Sequence, residues 1–545
     1  MKISSVVKLG TVATLAAGVL AACGTTSSTS NSQAQAKDQT LTWMENSALP
    51  TMDISKSVDA VSAETLNNTG EGLLRVGKKT SLHPGVAKSY RKSKDGKTYT
   101  FNLRKSKWSN GDAVTAKDFV YSWQRTVNPK TASEYAYLFG DVQNANAIMK
   151  HKKAVSNLGI KAEGNYKLVV TLTHPVSYFP DLVAGTTFFP QNQKVVDHYG
   201  KKYASNAADN VYNGPFKLTS WSGTSDNWTI SKNASYWDAK HVKLNKVAFN
   251  TVKDPQTALS QYQSGKLDAI YLSGQQPKNY KNSQEYVSRT SSRASYIEVN
   301  QRKDTMMKNK KARQALSLAI NREQFTNKIM DDGSAAPTGL VTDGLASYKG
   351  KDFAASAKVP SATSQDLAKA KKLWQEALKE TGRKSYSMTL TADDTAAGKS
   401  STEYVQSQWA KLPGLKVTDA NVPYKTVLAR CASGDFDSIV TAWGADFADP
   451  ITFLQLFTTG NSYNEGKWSN KTYDKLIDAA TGVDANQTGK RWQDLIKAQR
   501  VLLKDQGIIP FYQQGKPQLV KRNVKGVVYF PVGANWDFSR AYMAK

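Results

Sequence analysis

Apolar residues along this chain recur with two different periods. Tyr99, Phe101 and Leu103 alternate with polar neighbours after an Asp95-Gly96 turn, which predicts a β-hairpin within residues 86–108. Phe119, Val120, Trp123 and Val127 instead share a helical stripe, opened by Thr115 and Asp118 at capping-box spacing. Alternation returns at Tyr166, Leu168, Val170 and Leu172 and stops before His174-Pro175; Asn213-Gly214-Pro215 is a turn that opens a strand at Phe216. Asp254-Pro255 starts a helix carrying Ala258, Leu259 and Tyr262; Gly265 ends it, and a strand over 267–272 follows. The second half is richer in helix. Ala312, Leu316, Ala319 and Ile320 share a face, as do Leu367, Ala370, Trp374, Ala377 and Leu378, and again Trp492, Leu495, Ile496 and Leu503. Strands and helices interleave throughout and no 20–50-residue period recurs, so the class is mixed α/β and not a solenoid.

Residues 434–454 organise the rest. Phe436, Ile439, Val440 and Trp443 form a β-prone run that breaks at Gly444. Asp449-Pro450 then precedes Ile451, Phe453, Leu454 and Phe457, the order expected of an N-cap, a first-turn proline and an apolar helix face. Asp449 therefore has a structural job. Asp446 has none: it lies between a strand end and a helix start, among aromatics, with no cation near it in sequence. Loops at strand ends are where α/β sheets bind ligands.

At 545 residues the chain is too long for one core, and 40% hydrophobic with 22% charged residues fits a globular protein. The formal net charge of +28 is unusually basic, but it is spread in short pairs such as Lys78-Lys79 and Lys310-Lys311. With no arginine-rich arm or nucleic-acid motif, it reads as a diffuse surface property suited to an anionic envelope, not as a nucleic-acid site. Residues 1–22 carry Lys2 and Lys8 before an apolar run, then Leu20-Ala21-Ala22-Cys23-Gly24, which matches the lipobox of bacterial lipoproteins, cut before Cys23. Acyl chains on Cys23 would anchor the protein to the outer face of the cell membrane. Losing Lys2 and Lys8 lowers the formal charge only from +28 to +26. The rest of the 23–39 segment is a low-complexity polar tether. Cys431 is then left without a thiol partner and reads as a small buried hydrophobe.

Catalytic and cofactor chemistry find no support. The five histidines are far apart, without zinc spacing. Asp484, Asn486 and Thr488 begin like a calcium loop, but Leu495 stands where a bidentate Glu is needed. Ser89 with Lys92, and Ser225-Asp226-Asn227, mimic two penicillin-binding motifs without the third. No cofactor, no metal and no enzymatic activity are expected; the chain reads as a binder.

Five stretches in order carry a resemblance: TFNLRKSKWSNGDAVTAKDFVYSWQR within residues 86–125, YNGPFKL at 212–218, NASYWD at 233–238, ARQALSLAINR at 312–322, and residues 434–454. Together they resemble the family 5 extracellular solute-binding proteins, the peptide-binding lipoproteins of ABC importers, over residues 40–545. The resemblance implies a two-lobed periplasmic-binding-protein-like α/β fold with an extra inserted domain and a ligand cleft between the lobes. Lobe I would combine 40–71, 212–285 and 515–545; the inserted domain II would be 72–211, and lobe III 286–514. It further implies that an oligopeptide with a free N-terminus lies extended in the cleft, held by main-chain hydrogen bonds, for delivery to the permease and ATPase subunits of an importer. Asp446 would pair with the peptide's α-amine. Trp443 and Gly444 would line the peptide, with Val58, Asp59 and Ala60 facing them from the other lobe. Val440 stands where some relatives carry an arginine for the peptide's carboxylate, which puts a fixed-length clamp in doubt. A pheromone receptor of the same fold, or a basic surface adhesin for anionic wall or matrix polymers, are the alternatives.

Overall fold

The structure is a computed structural model and describes residues 35–302 and 305–545. The leader, Cys23 and most of the tether lie outside the described residues. Residues 35–39, read from sequence as the tether's end, are tied down: Ala36 N–H donates to the Met543 carbonyl at 2.9 Å, and the buried Gln39 side chain donates to the same oxygen at 2.9 Å.

Ten strands of the described residues form one sheet. Phe216–Ser220, Asn227–Lys232, Lys246–Thr251, Thr40–Glu45 and Ala269–Tyr271 make one half in that order; Ser438–Gly444, Tyr386–Asp393 and Leu415–Val422 make the other. Between them lie Ile509–Val520 and Tyr286–Val299, 12 and 14 residues long, which serve both halves. These two strands pair antiparallel, but their register slips between Thr290 and Ala294 and again between Ser295 and Tyr296. An irregularity of this kind bends and twists a strand locally. The two halves are thus joined through a two-strand bridge with its bend near its middle.

Each half has its own core. Trp43 meets Trp536 and Phe538 edge-on at 5.0 and 5.1 Å, with Leu41 and Phe249 beside them. In the other half Ile297, Leu316, Trp374, Trp409 and Phe511 pack together under the helices Lys310–Ala319 and Leu367–Glu380, whose apolar stripes face each other as the periodicity predicts. A separate four-stranded sheet holds the predicted hairpin, Ala87–Lys92 and Thr98–Leu103, followed by Lys167–Thr171 and Ile160–Ala162. Gly96 takes φ 73°, the left-handed conformation the turn needs. The helix Ala116–Val127 lies on this sheet; the Thr115 amide donates to Asp118 Oδ2 at 2.7 Å, and Trp123 and Phe119 are fully buried. This block also reaches the second half of the main sheet: Lys92 Nζ donates to Asn486 Oδ1 at 2.7 Å, and Tyr178 stacks on Phe447 with centroids 4.6 Å apart.

Candidate functional site

The strand Ser438–Gly444 forms from the β-prone run, with Ile439 fully buried. On one side it pairs with Tyr286–Val299 along its whole length, from Ser438 opposite Val299 to Gly444 opposite Arg293. On the other side Tyr386–Asp393 reaches only Ser438 and Ile439. Residues 440–444 therefore present main-chain N–H and C=O groups to an edge unpaired among the described residues. A bare strand edge is a template for another strand, and proteins cover such edges unless they use them. A Cβ built at Gly444 would meet nothing within 4 Å, so the backbone there faces open space.

Asp446 sits where this edge ends. Its amide donates to Thr452 Oγ1 at 3.1 Å, a buried hydroxyl in the short helix Ile451–Leu454. Burial pushes its carboxyl up to about 6, opposed only by the Thr452 hydroxyl. It has no ion-pair partner among the described residues. A half-buried carboxylate without a counter-charge is stabilised by any cation that enters. Asp449 has the opposite fate. Its Oδ1 accepts the Ile451 amide at 2.9 Å, and both oxygens also take the Arg491 guanidinium at 2.8 Å each. The helix starts one residue later than the sequence predicts, with Pro450 and not Asp449 in the cap position, and Asp449 pins the loop to the helix Thr488–Asp505.

Facing this loop is the N-terminus of the helix Ala60–Thr69. Asp59 caps it, accepting the Ser62 amide at 2.8 Å, so its carboxylate has structural work of its own. Val58, Asp59 and Ala60 line the same cavity of about 410 Å³ as Gly444 and Asp446. Trp443 is not among the lining residues; its indole packs edge-on against Tyr463 at 4.8 Å and against the apolar core.

Several lining residues carried no local sequence signal. Tyr135 and Asp181 border the cavity, and Tyr137, 53% exposed, stands close enough to Asp446 for partial burial and then that carboxylate to push its hydroxyl up. Tyr135 follows the same order of causes, and its hydroxyl donates to the Val58 carbonyl at 3.4 Å. Burial, then Asp449, pushes the Asp181 carboxyl up to about 7. These residues lie in short irregular helices, where aromatic spacing follows no period. Cys431 is buried, which pushes its thiol up to about 12 and leaves it inert.

The sequence model of bacterial extracellular solute-binding proteins, family 5 (middle region), matches residues 81–465. The chain belongs to this family. Its members bind solutes and are not enzymes. The chain is 38% identical over 560 residues to the dipeptide-binding protein of Lactococcus lactis subsp. cremoris, covering all of both chains. Among solved structures it is similar to Listeria monocytogenes OppA bound to peptide, at 37% identity and TM-score 0.74, covering 94% of this chain and 100% of that one. It is also similar to the unliganded open form of MppA, a periplasmic murein tripeptide binding protein, at 28% identity and TM-score 0.81, covering 94% and 99%. The mixed α/β fold is that of these multi-lobed binding proteins. Among the described residues no helix is long and apolar enough to cross a membrane.

Proposed function

We propose that this protein is the extracytoplasmic receptor of an ABC importer and captures oligopeptides by adding them as a strand to the free edge at residues 440–444. One observation carries the reading: an unpaired strand edge opens into a cavity and ends at a half-buried carboxylate without a cation. Main-chain pairing supplies affinity without reading side chains, and Asp446 supplies a fixed end for the α-ammonium. The lobes are those outlined by the resemblance, with 40–71, 212–285 and 515–545 as one, 286–514 as the other and 72–211 inserted. Peptide should then close the lobes about the bent two-strand bridge. Small-angle scattering with and without a saturating peptide mixture checks this; an unchanged radius of gyration would refute closure. A surface adhesin would instead bind anionic polymer with a steep salt dependence and without regard to Asp446.

The lipobox at residues 20–24 supports a lipid anchor on Cys23. Cys23→Ala should move the protein from the membrane fraction to the medium or periplasm. Continued partitioning into detergent would show that something other than Cys23 holds it.

A further inference from the structure

The cavity beside Asp446 is not alone. A second, of about 170 Å³, lies along the same strand and is lined by Val440, Thr441, Asp393 and Tyr512 among others. One side chain borders both: Arg293. Asp59, Asp181 and Asp446 line the first cavity and Asp393 the second, while Arg293 is the sole cation among the described lining residues. It is exposed, and its guanidinium has no hydrogen bond or ion pair among the described residues. Among the described lining residues only Arg293 carries a positive charge for a peptide carboxylate that enters this cleft.

We propose that Arg293 receives the C-terminal carboxylate of short peptides, dipeptides above all, and so takes the role that Val440 cannot. This rests on the reading of Asp446 as the α-ammonium site. Arg293 lies directly across the ladder from Gly444, two residues before Asp446. Two extended residues span roughly 7 Å, whether of the strand or of a bound peptide. A dipeptide with its amine on Asp446 therefore ends in the register of Gly444, one strand away from Arg293, whose long side chain borders the cavity across a glycine that has no side chain to block it. A planar guanidinium suits a carboxylate there, since it can offer two parallel N–H donors. A peptide long enough to carry its carboxylate beyond both cavities, about 20 Å for six extended residues, needs Arg293 less.

The test is calorimetry with alanyl-phenylalanine, its C-terminal amide, its N-acetyl form and a hexapeptide that extends it at the C-terminus. Wild-type protein should bind the free dipeptide at least about tenfold more tightly than the amide. Arg293→Gln should remove that discrimination by weakening the acid to the level of the amide, Arg293→Lys should restore part of it, and the hexapeptide should change by less than about threefold. Because Arg293 is exposed, both variants should melt like wild type. An acid-to-amide ratio unchanged in Arg293→Gln overturns the inference, as does an equal loss for the hexapeptide or a wild type that binds hexapeptide and no dipeptide. The N-acetyl form separates the two readings. If acetylation costs nothing, the Asp446 reading has failed; if it is costly while the acid-to-amide ratio survives in Arg293→Gln, only the role of Arg293 has.

Discussion

Asp446→Asn should weaken binding of an unblocked oligopeptide by roughly two to three orders of magnitude. In the complex the carboxylate and the α-ammonium both lose water and compensate each other. Removing one leaves the other buried and unpaired, a cost of about 3–5 kcal/mol, at about 1.4 kcal/mol per tenfold in affinity. N-acetylating the peptide removes the charge from the other side. The two changes should therefore be strongly non-additive, with acetylation costly on wild type and nearly free on Asp446→Asn. Calorimetry on the four combinations decides it, and additive losses would mean that the two charges do not meet.

The acid limb of the pH profile tests the same pair. In the empty cleft the Asp446 carboxyl is pushed up to about 6, and a bound ammonium would pull it down. Affinity should thus fall as pH drops below about 6, by up to about tenfold per unit, because the proton taken up by the free protein must leave before the ion pair forms. The α-amine, at about 7.7–8.0 in free peptides, limits binding on the alkaline side. Asp446→Asn should flatten the acid limb alone. Stability runs the other way. A carboxyl raised by burial favours the fold in its protonated form, a contribution present at low pH and lost as pH rises through about 6. The empty Asp446→Asn protein should then be at least as stable as wild type at neutral pH, so the site costs stability to keep a charge ready for the ligand.

Arg491→Met should be the most damaging single change near the cleft. Arg491 holds both oxygens of Asp449 at 2.8 Å, with the two side chains 6% and 13% exposed. The Tyr178 ring lies 5.7 Å from the same guanidinium, and Asp181 is near enough to interact with it electrostatically. Without the arginine, the Asp449 carboxylate remains buried beside Asp181, at a cost of about 3–5 kcal/mol. The Asp181 carboxyl is already up at about 7, so it favours the fold at low pH and loses that contribution as pH rises through about 7. With Arg491 gone the Asp181 carboxyl should move up further, and the deficit should be largest above pH 7 and shrink toward pH 5. Denaturant unfolding at pH 5 and 8 measures this. Asp449→Asn added to Arg491→Met should recover part of the loss, since the uncompensated charge is then gone. A deficit under about 1 kcal/mol at pH 8 would show that the pair does not hold the loop.

What the sequence determined by itself was local. The Asp95-Gly96 turn, the Thr115–Asp118 box, the helical stripes and the break at Gly444 are all written in neighbouring residues, and the structure forms each of them. Period and turn chemistry act over a few residues, so they survive any tertiary arrangement. The oddity of Asp446, an acid with no local task, was legible for the same reason. Tertiary structure alone decided the rest. The free edge at 440–444 exists because Tyr386–Asp393, some fifty residues earlier, stops pairing after Ile439. Asp449 finds its arginine 42 residues on, Arg293 meets Gly444 from a strand that begins at Tyr286, and Gln39 is held by Met543 at the far end of the chain. Nothing near these residues announces such partners. They meet because the two long strands carry distant segments into one sheet, where burial and the pairing of backbone groups choose neighbours without regard to distance along the chain.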